Sequence, residues 1–590
     1  MPARRGRGQG GKPGAAAPHA KNTKSKFPVA APAVAQLPES LTIPIHSSTL
    51  PEILRTGLTQ FDAIQPYWSG LEKLMPESAG THSIFTNCWT GISGELISDI
   101  QVSPESNFYG TLRIQGEEKP IFIKRIHLLD ATRAMEGEYI WPRDGALPAP
   151  SELWKTALAK INDPLNEAYV DALFALCADR LVRSGISPHW CLCYGTFTAR
   201  AKTYMYDITD DYHDLRSEPW WKRNQRQGLF TLVKSDDDDL EDDTKFFTSG
   251  ISEIADADFQ VIDADAPGGD EQCEVEEVEP ALQAEVVNLK KPSMKIEKLE
   301  TGDDSDSEED EEIQHQVAFE NFPVQVSLLE CADGTIDELL DAEDENDVTM
   351  ASTKEERWSA WLFQVIAALT AAQYYYGFVH NDLHANNIMW SGTGLTHIWY
   401  KVVKGKTSYM MRVPTFGRIM KIIDFGRATY TLPEPAGFIM SDAFCVGNDA
   451  GHQYNCEPYY DQREKRVEPN PSFDLGRLAV SLLEALYPQR PEAVSPVKIM
   501  SREGAKLYTE TVSPVYNLLW GWLQDDNGKN ILRNADGTER YPDFDLYRAL
   551  AAEVHHAVPK EMVEKEVFSR FRVSEKLSAS AEDAIYVLNI

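Results

Sequence analysis

The stretch FVHNDLHANNIM at residues 378–389, with KIIDFG at 421–426, decides how the rest of the chain is read. Asp382 is a carboxylate just after an uncharged, helix-length run. There it can face a hydroxyl and take its proton. Asn387, five residues on, offers an amide oxygen to a hard cation. Asp424 offers a carboxylate to the same cation or a second one. Mg²⁺ is held by one or two such oxygens, with phosphate oxygens and water completing the octahedron. A base, two oxygen ligands and a glycine just after the second carboxylate suit in-line phosphoryl transfer.

The order H-N-D-L-H-A-N-N, then I-D-F-G, resembles the catalytic and metal-binding loops of the protein kinase family, which carries H-R-D-L-x-x-x-N and D-F-G. The resemblance implies that Asp382 is the catalytic base, that Asn387 and Asp424 hold Mg²⁺, and that His380 shapes the loop core. Upstream, Ile121-Phe-Ile-Lys124 is similar to the family's V-A-I-K strand. Lys124 is then the residue for the α- and β-phosphates. Strand alternation agrees, because Ile121 and Ile123 face away from Phe122 and Lys124. Glu167, near the start of a helical segment, is the expected partner of Lys124. Asp171 lies one turn further on, and Glu136 and Glu138 are closer in sequence. Gly91 and Gly94 supply a two-glycine phosphate loop where the family has three. Ser327–Cys331 is the expected hinge, with backbone groups of Glu330 and Cys331 meeting adenine. Asp474, ahead of a strongly amphipathic helix, resembles the family aspartate that holds the catalytic-loop backbone.

Several positions depart from the pattern. Asn381 replaces the arginine that pairs with an activation-loop phosphate, which argues against switching by that route. His384 replaces a lysine two residues after the base. D-L-H also occurs in haspin-like protein kinases and in aminoglycoside and choline kinase-like relatives. The segment between Asn387 and Asp424 is 36 residues long. Its β-like Trp399–Val403 and Tyr409–Val413 read as an added hairpin. No A-P-E is found. H-N-D-L-H, the long insert and Arg540-Tyr-Pro-Asp-Phe-Asp-Leu-Tyr547 near the end together resemble the divergent protein kinases of large DNA viruses, and the likeness covers roughly residues 85 to 575.

Around this centre the 590-residue chain carries 57 Lys+Arg against 92 Asp+Glu, for a net charge of −35. Between 235 and 312 there are 29 acidic and 5 basic side chains, so that window holds most of the net charge. It cannot bury enough apolar surface to offset its ordering entropy and is expected to be disordered. The acidic balance argues against a protein that grips nucleic acid with its whole surface. Only the basic, Gly/Ala/Pro-rich tail of residues 1–38 has the composition for such a contact or for nuclear targeting. Eight scattered cysteines are no disulfide framework and point to a reducing intracellular compartment. Cys191-x-Cys193 lacks the second ligand pair of a zinc site. Trp361–Val379 is uncharged over nearly a membrane-spanning length, yet it contains Gln364, Thr370, Gln373 and three tyrosines, which fits a buried helix better.

The expected class is α+β, a bilobal protein-kinase-like fold with a small β-rich lobe and a larger helical lobe. The expected boundaries are a basic tail at 1–38, an irregular or short-helical flank at 39–84 and the first part of the small lobe at 85–234. The acidic insert at 235–312, the last small-lobe strand and hinge at 313–331, the large lobe at 332–575 and a terminal tail at 576–590 follow. Strands are expected at Gly94–Val102, Phe108–Ile114, Pro120–Ile126 and Ile186–Phe197. Helices are expected at Leu165–Val182, 355–377 and 473–487, and a mostly helical stretch over 513–590. The implied activity is transfer of the γ-phosphoryl of Mg-ATP to a Ser/Thr-type hydroxyl of a protein. The implied cofactors are ATP and Mg²⁺, and the implied setting is the cytoplasm or nucleus, or a host cell or virion if the chain is viral. A small-molecule kinase of the same fold and a non-catalytic scaffold are the alternatives. The acidic insert is open to three roles: screening basic substrates, recruiting them, or occupying the substrate groove as a mimic.

Overall fold

The computed structural model describes residues 37–41, 43, 45–47, 50–66, 68–74, 88–90, 97–103, 108–142, 152–235, 314–341, 353–433, 436–494, 497–501, 504–508, 510–534, 537–573 and 584–590. The expected basic tail, the Gly91/Gly94 loop and nearly all of the acidic insert lie outside those residues.

A seven-stranded antiparallel sheet is built from β1 (Phe61–Gln65), β2 (Ile97–Val102), β3 (Tyr109–Ile114), β4 (Glu117–His127), β5 (Cys193–Asp207), β6 (Thr231–Ser235) and β7 (Gln314–Glu330). The spatial order is β1-β5-β7-β4-β3-β2, with β6 paired to the first residues of β7. Alternation on β4 puts Ile121 and Ile123 fully into the core and leaves Phe122 and Lys124 on the other face. Leu112, Phe197, Val326 and Leu328 close over the same face. Gly110 is required where β3 meets β2, since a Cβ there would lie 2.5 Å from the Gln101 carbonyl oxygen.

Helix α1 (Glu167–Arg183) follows β4 and starts at Asn166, whose side chain accepts from the Ala168 N–H. Thirteen of its residues are buried, so it packs on all sides rather than along one stripe. Helix α2 (Lys354–Tyr376) opens with a reciprocal Thr353–Glu356 capping box and ends at Gly377 in the left-handed region. No helix among the described residues is long and apolar enough to cross a membrane.

β8 (Gly334–Thr335), which precedes α2, joins β9 (Ile388–Gly392) and β12 (Arg418–Ile422) beyond it in one small sheet. Between β9 and β12, β10 (His397–Lys404) and β11 (Thr407–Pro414) make the hairpin expected from the sequence. Strands β13 (Thr429–Leu432) and β14 (Gly437–Met440) pair next. Helices α3 (Phe473–Leu486), α4 (Pro514–Trp522) and α5 (Asp545–Glu553) complete a second apolar cluster with α1 and α2. The architecture is therefore mixed α+β, one large antiparallel sheet with helices and smaller sheets interleaved along the rest of the chain.

Three expectations are corrected. The flank at 39–84 is not merely irregular, because it contributes edge strand β1. Its register shifts between Asp62 and Gln65, and Ala63 has φ +50°, so the alternation that marks a strand is broken. The strand expected from Ile186 begins only at Cys193. Pro188 interrupts it, and the His189 carbonyl accepts instead from the Ile422 N–H of β12. The tail is not helical to its end, since β15 (Ile585–Asn589) pairs in parallel with β10.

Candidate functional site

Lys124 is the meeting point. Its Nζ donates to Asp171 Oδ1 at 2.6 Å and to Asp424 Oδ1 at 2.9 Å. Burial alone would lower its pKa, but the two carboxylates raise it above the ordinary lysine value. Asp171 Oδ1 also accepts from the Phe425 N–H at 2.7 Å, so α1 and the D-F-G segment are joined through one carboxylate. Glu167 does not pair with Lys124, contrary to the expectation from the sequence. It lies one helical turn before Asp171, against Gly426, where a Cβ would come within 2.9 Å of its Cγ. Burial pushes the Glu167 carboxyl up to about 7, against the pull of Arg427.

Asp424 has φ +67° and keeps 36 % of its side chain exposed. Burial opposes its charge, yet Lys124 and the nearby His380 and His384 hold its carboxyl down to about 2. The adjacent Phe425 ring is packed among Phe174, Trp190, Phe378 and His380, with centroids 4.9–6.2 Å away. This apolar anchor turns the carboxylate toward Lys124.

The segment around His380 and Asn381 is held from below. Asp474, at the start of α3, accepts from the His380 N–H at 2.9 Å and the Asn381 N–H at 3.0 Å. Burial raises Asp474 to about 6, with His380 and the two N–H groups pulling back. The His380 ring bonds the Ile423 carbonyl at 2.8 Å, tying this loop to the residue before Asp424. Asn381, with φ +65°, is fully satisfied by the Val379 and Arg427 carbonyls, Thr429 and Tyr454. It is a buried strut.

Asn387 and Asp424 are neighbours, because the Asn387 carbonyl accepts from the Ile423 N–H at 3.1 Å. The Asn387 amide nitrogen donates to the Asp382 carbonyl at 2.8 Å and contacts His384 Nε2 at 3.1 Å. The Asp382 carbonyl can only accept, which fixes the flip of the amide with its nitrogen toward that oxygen and makes His384 Nε2 the acceptor of the second contact. Its Oδ1 is left buried with no hydrogen-bond partner, in a residue only 1 % exposed. A buried amide oxygen is costly to leave unpaired, and an amide oxygen is a ligand type that suits a hard cation. Burial lowers His384 to about 4, so its imidazole is neutral and orients Asn387.

Asp382 Oδ1 accepts from the Tyr547 hydroxyl at 2.8 Å, and Oδ2 lies 4.0 Å from Arg427. Burial would raise this carboxyl, but Arg427, His384, Arg477 and Tyr547 hold it below the usual carboxylate range. Arg427 was not singled out from the sequence, and Tyr547 entered only as the last residue of the Arg540–Tyr547 segment, with no role assigned. Arg427 directly follows D-F-G and could have been noticed, whereas Tyr547 is 165 positions from Asp382 and nothing local pairs the two.

The hinge expectation is revised at one atom. The Glu330 N–H donates to the Leu192 carbonyl, and its carboxylate accepts from the Leu192 N–H and from buried Lys421 at 2.8 Å. Its N–H is thus engaged within the protein, and Cys331 follows it half-buried. The loop expected at Gly91 and Gly94 lies outside the described residues. Phe108, just before β3, accepts from the Ile123 N–H at 2.7 Å.

No protein-family model matches the chain, and no curated protein matches it. Among the described residues there is no group of three or more His, Cys, Asp or Glu side chains placed to hold a metal ion. A cation held by Asn387 and Asp424 would therefore need phosphate oxygens to complete its shell.

Proposed function

We propose that the chain is a divergent protein kinase of bilobal fold that transfers the γ-phosphoryl of Mg-ATP to a protein hydroxyl. The observations that carry this reading are the partnerless Oδ1 of Asn387, whose own carbonyl accepts from the N–H of the residue before Asp424, and an Asp424 carboxylate that binds Lys124. One amide oxygen and one carboxylate fit a Mg²⁺ ion that arrives with a nucleotide. Bound there, the ion would neutralise charge on the phosphates.

The remaining chemistry belongs to the chain. Lys124, kept as an ammonium by Asp171 and Asp424, faces the nucleotide's phosphates. The ionised Asp382 accepts the proton of the attacking hydroxyl. Arg427 sets a guanidinium beside that base, where neutral His384 supplies no charge. Cys331 and its neighbours are left to meet the purine at the hinge, since the N–H of Glu330 is occupied. The two apolar clusters, one on the antiparallel sheet and one built mainly of helices, agree with a two-lobed body.

The test is transfer from radiolabelled ATP to casein, histone and an aminoglycoside, with Asp424→Asn as control. Transfer to a protein that depends on Asp424 supports the reading. Transfer to the aminoglycoside alone replaces it with the small-molecule alternative, and Mg-ATP binding without any transfer leaves a scaffold.

A further inference from the structure

We propose that Tyr547 and Arg477 act as a positioning pair that seats the base, holding Asp382 Oδ1 so that Oδ2 alone takes the acceptor's proton. This rests on the phosphotransfer reading above and adds two residues from helices far along the chain.

The hydrogen-bond directions follow from the donors. Arg477 Nε can only donate, and it donates to the Tyr547 hydroxyl oxygen at 2.8 Å. The tyrosine proton is then free to point at Asp382 Oδ1, 2.8 Å away. The Arg477 guanidinium also stands 5.2 Å from the Tyr547 ring centroid. The ring is fixed by Phe544 at 5.0 Å and Phe473 at 5.9 Å. Both residues are buried, so water does not compete for these bonds.

Helix α3 thus acts twice on the same loop. Asp474 grips the backbone N–H groups of His380 and Asn381, and Arg477, three residues on and on the same face, reaches the side chain of Asp382 through Tyr547. With Oδ1 saturated on one side, Oδ2 beside Arg427 remains for the acceptor. As the acceptor oxygen bonds to the γ-phosphorus and the bond to the departing ADP oxygen breaks, the hydroxyl proton passes to Oδ2. The charged and titratable groups that face Asp382 are Arg427 after the D-F-G, His384 of its own loop, and Arg477 and Tyr547 from the two helices.

The test uses the full chain and Tyr547→Phe, which keeps the ring and its packing. Losing a hydrogen bond to a carboxylate should lower kcat about 10- to 100-fold. KM for ATP should change less than about twofold, because the base does not bind the nucleotide. The acidic limb of the pH–kcat profile should move to higher pH, since one group that holds the Asp382 carboxyl down is gone. In an Asp382→Asn background the same change should cost nothing further. If Tyr547→Phe does not fold, Arg477→Lys carries the test with the same expected displacement of the acidic limb. A wild-type profile and wild-type kcat in the variant would overturn the proposal while Asp382→Asn remains inactive. An active Asp382→Asn would instead overturn the assignment of the base, and with it both readings.

Discussion

Lys124 Nζ and Asp171 Oδ1 lie 2.6 Å apart although the residues are 47 positions apart in sequence. Asp171 is almost fully buried and also receives the Phe425 N–H, so one carboxylate joins strand β4, helix α1 and the D-F-G segment. Removing one partner of such a pair leaves an uncompensated buried charge. Asp171→Ala is expected to destabilise the chain by about 3 kcal/mol, the lower end for a broken buried pair because Asp424 remains beside Lys124. Denaturant unfolding measures this. A loss below about 1 kcal/mol, within the range of exposed pairs, would show that the pair does not hold α1 to the sheet.

Glu167 gives a pH dependence whose sign can be worked out. Its folded carboxyl is raised to about 7 by burial, above its unfolded value. Between about pH 4.5 and 7 the folded chain therefore keeps a proton that the unfolded chain has lost, and stability falls as pH rises through that window. Glu167→Gln removes this fall. The variant should gain about 3 kcal/mol over the parent at pH 8 and nothing at pH 4. Melting curves at the two pH values decide it, and an equal effect at both would rule out the titration.

Asp382→Asn should lower turnover by about 10²- to 10⁴-fold, the usual scale for a general base. ATP affinity should stay nearly intact, because the side chain faces the acceptor. Parallel calorimetric titration and transfer assays check this, and a matching loss of ATP affinity would move Asp382 out of the role of base.

Mg-ATP should raise the melting temperature. At a concentration about 100 times Kd the stabilisation is about 2.7 kcal/mol. EDTA should abolish the shift, and so should Asp424→Asn, since the proposed ion is held by that carboxylate together with the Asn387 oxygen. A shift that persists in EDTA would mean that nucleotide binds without the proposed ion.

Ser235 at the end of β6 stands directly opposite Gln314 at the start of β7. Replacing 236–313 with a two-residue Asn-Gly turn should therefore preserve the fold. Shortening the loop removes about 3 kcal/mol of closure entropy at most, at about 0.6 kcal/mol per doubling of loop length. The melting temperature should hold or rise, and a large fall would reveal packing contributed by that segment. Comparing transfer by the two forms across a salt titration then reports whether the acidic charge acts on the substrate.

Local order was legible wherever the chain itself supplies the interaction. The alternation of Ile121, Phe122, Ile123 and Lys124, the uncharged run of α2 with its Thr353 cap, and the hairpin of β10 and β11 all depend on neighbours a few residues away. The candidate residues Asp382, Asn387 and Asp424 could be picked out for the same reason, since a base and two oxygen ligands are chemistry that residue types declare. What only the tertiary structure decided was which partners those groups meet. It gave Lys124 to Asp171 rather than Glu167, a choice between residues one helical turn apart that depends on how α1 lies under the sheet. It closed Glu330 with Leu192 and Lys421, and it set Tyr547 on Asp382 from 165 positions away. Side-chain pairing at such separations depends on how helices and sheets pack, and packing is a property of the whole chain that no local pattern of residues records.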